Sequence, residues 1–395
     1  MRDVAIIGAG MGQRWGKYPG SLIEMMAESA LEAINDAGTD ELDAVFVANM
    51  GAGRINNQTA LGSALIDYLN LFPAVGASIE NGPASGATAA RFGYMAIASG
   101  LHDVVMITGG EKMRVAPGPV VTDFIATMAH PEAEYIHGVT FPSLGALLAR
   151  LYFEKYGVTS EDLARIAIKN HDNGLKNPKA HIQQKIAMEG ILTSREAKMN
   201  NPMIADPLRL YDMCPVSDGS ASIIMCSMDK AKELTERPIV KYAGTGQGMD
   251  TMSVHERKNP TFLSAVKTAS DQAFSMAGLS RKDIDFAEIH DAFEILEIAE
   301  LEAAGFYEPG TAHLAVQKCE TELAGKFPVN PSGGLKARGH PVGATGVAQL
   351  CELVWQLRGE AGERQVQNNP QHGYAVNFGG FGNNVVATIL SRLEE

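Results

Sequence analysis

Two histidines carry the clearest chemical signals in the chain. His340 lies in NPSGGLKARGHPVGATG (Asn330–Gly346), followed by proline inside a glycine-rich turn. That setting holds an imidazole rigidly, as a base that must be aimed requires. The alternative is a buried structural side chain bonded to backbone. His290, in His290-Asp291-Ala292-Phe293, falls at the carboxyl end of a predicted strand, where open α/β sheets gather ligands. Outside its motif, a lone histidine at a strand end is structural. Sulfur offers less: Cys214, Cys226, Cys319 and Cys351 are scattered without a C-x-x-C, so neither a zinc knuckle nor a disulfide framework is indicated. Cys214 reads as a small buried hydrophobe. The cluster Gly8-Ala9-Gly10-Met11-Gly12 lacks full G-x-G-x-x-G spacing, and the next strand ends in Asn49 rather than an acidic residue. A tight turn, repeated as Gly244-Thr245-Gly246, is the better reading than a dinucleotide fingerprint.

Strands and helices alternate around these residues. Asp3–Ile7 and Leu42–Ala48 have strand character, Ser21–Ala37 has helical periodicity, and Ala84–Ser99 is a small-residue helix leading to the strand in HDVVMITGG. The second half repeats this order. RPIVKYAGTGQGM echoes RDVAIIGAGMGQR, KTASDQAFSMAGLSRKDIDFAEIH echoes ESALEAINDAGTDELDAVFVAN, and VGATGVAQLCELVWQLRG echoes SGATAARFGYMAIASG. Three matched elements in one order predict two similar βαβ-rich halves packed together. Between them lie an amphipathic helix around Gly145–Lys155 and the polar stretch KNHDNGLKNPKAH, read as loop and cap.

Composition agrees with an α/β chain. Of 395 residues, 45% are hydrophobic, 7% aromatic and 41 are glycine, which suits a large core with many tight turns. The net charge of −13, without a basic run, argues against nucleic acid as a partner but not against a phosphate-bearing ligand. No leader signature and no stretch of about 18 apolar residues is present, so no membrane span is expected and a reducing cytoplasm is the simplest location.

The motifs His290-Asp291-Ala292-Phe293, NPSGGLKARGHPVGATG and VNFGGFGNN (Val376–Asn384), with DMCPVSDGSAS (Asp212–Ser222) and GEKM (Gly110–Met113), resemble the thiolase superfamily. The resemblance is to its sterol-carrier-protein-type and archaeal acetoacetyl-CoA thiolase-like branch. It implies an α/β thiolase fold: five αβαβα layers, two duplicated βαβαβαββ halves and an inserted loop domain. The halves would be residues 1–113 with about 212–236, and 237–395, flanking a loop domain at 114–211. It further implies a homodimer, with coenzyme A as substrate thioester threading past the loop domain, and no metal in this chain.

In that family the nucleophile lies in E-x-x-C-x-S-G. Here the pattern is Glu80-Asn81-Gly82-Pro83-Ala84-Ser85-Gly86, which puts Pro83 at the cysteine position. Proline has no nucleophile and no N–H for an oxyanion, and it suits the first turn of a helix, where Ser85 reads as a cap. The second family cysteine, in C-x-G-G, is replaced by Asn377, and the cysteine of an alternative H-D-C-F by Ala292. By resemblance, His290 polarises the oxygen of the enolate-forming thioester, His340 with Asn377 moves a proton, and Gly379, Gly380 and Phe293 contact substrate or oxyanion. The expected function is to make or break a C–C bond in an acyl-CoA through an enolate, without a cysteine acyl-enzyme. Direct thiolysis and retro-aldol cleavage both remain open. Thiolase-like aldolases work with a small zinc-ribbon/OB-fold companion but tend to alter both histidines, which this chain keeps. The alternative is a catalytically silent subunit of a heteromeric acyl-CoA-processing complex. Val120–Thr140, with Phe124, Met128, His130 and Tyr135, either lines an acyl pocket or is a packed loop.

Overall fold

The computed structural model describes residues 1–192 and 200–393. Its sheet has nine strands: β1 (Val4–Gly10), β2 (Ala44–Ala48), β3 (Val75–Ile79), β4 (Val104–Lys112), β7 (Asp218–Ser227), β8 (Val240–Met249), β9 (Phe286–Glu288), β10 (His372–Gly379) and β11 (Asn384–Arg392). They run in the order β3-β2-β4-β7-β1-β8-β11-β10-β9. The repeat seen in the sequence is visible in this order. It divides at the β1–β8 pair, where Ala5 faces Lys241 and Ile6 faces Val240. From that seam each half runs outward through its last strand and then its parallel inner strands. The outermost position of the second half is held only by an isolated bridge between Ala287 and Val329.

Five layers follow from which faces are apolar. Helices α1 (Leu22–Ala37) and α2 (Leu61–Leu69) cover one side of the first half, with Met26, Ala30 and Leu65 against Ala5, Ile7 and Val47. Helix α3 (Ser85–Ala98) and a late helix (Thr345–Arg358) fill the space between the halves, Ala90 and Ile97 meeting Val347 and Leu350. Helices at Ser264–Ala277 and Glu294–Ala304 cover the far side through Ala269, Phe274, Ile295 and Leu301. Helix α1 is fixed at its start by a capping box: Ser21 Oγ accepts from Glu24 N at 3.2 Å while Glu24 Oε2 accepts from Ser21 N at 2.6 Å.

The glycines at the front of each half do other work than expected. Gly8 and Gly10 are strand residues, not a turn; in this cluster only Gly12 has a left-handed φ, of 60°. A Cβ on Gly10 would sit 2.5 Å from the Ser29 carbonyl oxygen on α1. Gly246, in the second half, would press a Cβ onto the Ala269 carbonyl and lie 2.6 Å from Gln272 Cβ. The bare strand surface lets each helix lie directly on its sheet, and the duplication has kept this in both halves.

Between β4 and β7 the chain leaves the sheet. It forms α4 (Gly118–Ala126), α5 (Phe141–Tyr156), α6 (Ser160–Leu175) and α7 (Met188–Leu192), with a small β5–β6 pair (Met203–Ala205 with Leu208–Arg209). The stretch 169–181, expected to be loop and cap, is helical through Leu175. Its polar side chains are buried because they serve another loop rather than water. Asn170 Nδ2 donates to Asp291 Oδ2 at 2.8 Å, Asn173 Nδ2 to the Asn330 carbonyl at 3.0 Å, and Asn177 Nδ2 to the Ser332 carbonyl at 2.9 Å. No helix among the described residues is long and apolar enough to cross a membrane.

One buried ion pair ties the two chemically informative loops. Arg338 Nη1 donates to Glu288 Oε2 at 2.9 Å with both side chains fully buried, and Ser332 Oγ donates to the same oxygen at 2.8 Å. Removing one partner strands the other's charge in the core. Glu288→Gln is expected to lower unfolding stability by about 3–5 kcal/mol in a denaturant titration. The paired change Glu288→Met with Arg338→Met should recover most of that loss. A single variant as stable as wild type would show that the pair contributes no constraint.

Candidate active site

Both histidines are buried and meet edge to face. His290 follows β9 by two residues, and His340 stands in the loop between the short helix Gly334–Ala337 and the helix at Thr345–Arg358. Their ring centroids are 4.9 Å apart at an interplanar angle of 88°. They are 1% and 7% exposed. Burial drives both pKa values down: His290 lies well below the ordinary value, with His340 and Arg338 adding to the effect, and His340 falls to about 3, with Arg338 again contributing. Both rings are therefore neutral at physiological pH.

Neutral imidazole has one donor and one acceptor nitrogen, and the neighbours decide which is which. Asn377 Oδ1 accepts from Ala87 N at 3.3 Å, which turns its Nδ2 toward His290 Nδ1 at 3.2 Å. His290 Nδ1 is then the acceptor, and the proton sits on Nε2. Thr345 Oγ1 lies 2.7 Å from His340 Nδ1 and 3.1 Å from the Pro341 carbonyl. Both contacts are hydrogen bonds only if Thr345 donates to Pro341 and accepts from His340 Nδ1–H. That leaves His340 Nε2 as a lone pair. No described residue bonds either Nε2. One ring offers a donor and the other a base.

Both rings open onto a cavity of about 210 Å³. Of the residues singled out from sequence, Pro83, His290, His340, Phe293 and Gly380 line it. Two do not. Asn377, expected to act with His340, instead stands behind His290 and holds that ring, because its amide bridges Ala87 N and His290 Nδ1. Gly379 packs on the 81–84 loop, where a Cβ would lie 3.0 Å from both the Asn81 carbonyl oxygen and Ala84 Cβ. Ser85 is committed, accepting from Asn81 N at 2.7 Å and donating to the Gly82 carbonyl at 2.6 Å.

The inserted segment closes the cavity with Val121, Ile125 and Met128. Phe124 turns into a small cluster with Met113 and Val342, and His130 and Tyr135 bond locally to the 132–133 backbone and to Asp123. Sequence reasoning missed two residues. Thr345 was within reach, five residues after His340 in the same motif. Cys214 lines the cavity as well, since its N–H donates to the Ala292 carbonyl at 3.0 Å and Met213 bridges to Phe293. Nothing in its spacing signals that pairing. Next to the cavity, and sharing Val121, Pro215 and Val216 with it, a surface groove carries Arg114, whose Nη1 is 3.0 Å from His181 Nε2. Among the described residues no cluster of three or more His, Cys, Asp or Glu side chains is placed to hold a metal ion.

Comparison with known proteins shows the family. The thiolase N-terminal domain family matches residues 4–229, and the thiolase C-terminal domain-like family matches residues 246–392. The chain is 44% identical over 394 residues to a Methanothermobacter thermautotrophicus protein named acetyl-CoA acetyltransferase, covering 99% of this chain and 100% of that one. It is 30% identical over 388 residues to Sterol carrier protein 2 of Gallus gallus, covering 92% of this chain and 68% of that protein. A solved structure described as "Ltp2-ChsH2(DUF35) aldolase" superposes with a TM-score of 0.82 at 24% identity, covering 100% of this chain and 98% of its own. With both its halves matched, this chain belongs to the thiolase superfamily.

Proposed function

We propose that the protein makes or breaks a C–C bond beside the carbonyl of an acyl-CoA thioester, through an enolate and without a cysteine acyl-enzyme. The observation that carries this reading is the pair of neutral imidazoles, one presenting N–H and the other a lone pair, in one largely apolar cavity. An enolate needs a donor for the thioester oxygen as negative charge collects there, which His290 Nε2–H supplies. It also needs a base for the proton released, and His340 Nε2 is unencumbered. An acyl-enzyme needs a nucleophile and an oxyanion donor beside it. Pro83, in the same wall, provides neither. Relatives named acetyl-CoA acetyltransferase favour a CoA thioester as the substrate class.

The segment at 114–211 serves as the cap in this reading, placing Arg114 at the mouth for the phosphates of coenzyme A. A homodimer is favoured by the edge strand β3, where Val75 to Ser78 are exposed beside exposed Tyr68 and Phe72. An unpaired, partly apolar edge is a template for another strand. Light scattering should give twice the chain mass, and Ala77→Lys, which sets like charges across the joint, should give the monomer. A wild-type monomer would remove the dimer from this proposal. The DUF35 protein named in the aldolase structure makes a small companion subunit a component to include in assays.

A panel of β-keto and β-hydroxyacyl-CoA esters, with and without free CoA, tests the reaction. Cleavage of a β-hydroxyacyl-CoA without CoA marks a retro-aldol, and consumption of CoA with two thioester products marks direct thiolysis. In either case His290→Ala and His340→Ala should lower kcat by about 10²–10⁴-fold. Activity surviving both changes would sink the thiolysis and retro-aldol readings alike. The pH profile gives a separate check. Because both histidines are depressed, their working neutral forms persist as pH falls through the ordinary imidazole range and are lost only far below it. The acid limb of kcat/KM should therefore show no inflection near pH ~6.5, and one there would contradict the buried neutral pair.

A further inference from the structure

Cys214 reads from sequence as packing, yet it lines the cavity shared by His290, His340 and Pro83. The antiparallel Met213–Phe293 bridge holds it there, through the bond from Cys214 N to the Ala292 carbonyl at 3.0 Å. It thus stands directly across from Ala292. A second, independent feature marks this place as one built for a ligand. His290, 1% exposed, lines the same cavity with an Nε2 that no described residue bonds. Near Cys214 lies Glu294, fully buried, with neither carboxyl oxygen partnered among the described residues.

We propose that Cys214 is a catalytic acid, whose S–H protonates the α-carbon of the substrate enolate. The inference rests on the enolate reading above. The step balances without an added reactant. His340 takes a proton from the substrate hydroxyl, or from the CoA thiol, as the C–C bond breaks and the electron pair passes into the enolate. The enolate then re-forms its carbonyl while its α-carbon takes the proton from sulfur. The resulting thiolate recovers a proton from the His340 imidazolium, and sulfur never changes oxidation state. The surroundings suit a thiol rather than a resident thiolate. Burial, with Asp291 adding to it, pushes Cys214 up to about 12, and burial likewise lifts Glu294 well above the usual carboxyl range. Such a thiol is a poor standing nucleophile, but its proton still moves readily to a far more basic enolate carbon.

The test is α-hydrogen exchange of acetyl-CoA in D₂O, followed by mass spectrometry, together with covalent labelling by bromoacetyl-CoA. Wild type is expected to incorporate deuterium, and Cys214→Ala to slow incorporation by about 100-fold or more with acetyl-CoA affinity unchanged. Cys319→Ser, at an exposed thiol outside the cavity, should match wild type. Bromoacetyl-CoA should alkylate Cys214, and excess acetyl-CoA should protect it. Should Cys214→Ala fail to fold, Cys214→Ser, checked by its thermal midpoint, takes its place with the same expected loss. Exchange in a folded Cys214 variant within about threefold of wild type would overturn the assignment alone. So would labelling confined to Cys319. Absence of exchange in wild type would overturn the enolate reading and this inference with it.

Discussion

The Glu288–Arg338 pair is the constraint on which the site depends. Glu288 precedes His290 by two residues and Arg338 precedes His340 by two, so one 2.9 Å ion pair sets the spacing of the two loops that carry the imidazoles. Burial raises Glu288, while Arg338 and the donors of Ser332 draw it back toward the charged form. A buried pair of this kind adds little net stability over an apolar substitute, because desolvation offsets the attraction. Here it fixes a register. A parallel device ties the His340 loop to the first half: Glu111, buried on β4, accepts from Met50 N at 3.0 Å, Gly51 N at 2.9 Å and Gly343 N at 3.1 Å. The site lies where the duplicated halves meet, and each half supplies a carboxylate that holds the loop between them.

The same burial sets the protonation of the site. Arg338 is close enough to disfavour a second positive charge on either ring, and neither ring has a carboxylate partner to oppose that effect. Asn377 and Thr345, both neutral, then decide where each remaining proton sits. Were Asn377 an aspartate, His290 Nδ1 would become the donor and the proton facing the cavity would be lost. An amide reverses the polarity an acid would impose. The two nitrogens left unbonded, one donor and one acceptor, are the polar groups whose bonding these neighbours leave open, in a cavity otherwise walled mainly by side chains such as Val121, Ile125 and Phe381.

Much of this was legible in the sequence because the duplicated halves repeat the same periodicities, and because His290 and His340 sit in long, ordered motifs. What escaped notice had physical causes. Glycine signals either a turn or a close approach, and sequence cannot separate them; Gly10 and Gly246 proved to be close approaches to helices. Asn170, Asn173 and Asn177 look solvent-facing until the loop they bond, through Asp291, Asn330 and Ser332, is folded against them. Asn377 was read beside His340, yet its amide bonds His290, and only the direction of the Ala87 N–H settles which way that amide turns. Cys214 depends on a strand pairing across about eighty residues of sequence, which no local pattern encodes.

Pro83 has consequences beyond a missing thiol in the proposed reading. Its own nitrogen carries no hydrogen, and the next two N–H groups are already used: Ala84 N donates to the Asn81 carbonyl at 3.1 Å and Ser85 N to the Gly82 carbonyl at 3.1 Å. The loop that would have to stabilise a tetrahedral oxyanion therefore has no donor free over Pro83–Ser85. In that reading negative charge in this cavity is met instead by His290 Nε2–H, which lines it too, and a donor there serves a thioester oxygen as its carbonyl becomes an enolate. In the proposed reading, with His340 as the base and no nucleophile at position 83 to trap the acyl group, carbon acid chemistry takes the place of acyl transfer through the protein. A cysteine restored at position 83 would supply the nucleophile while removing the proline that leaves the loop without its donor, so the two deficits share one residue and one remedy.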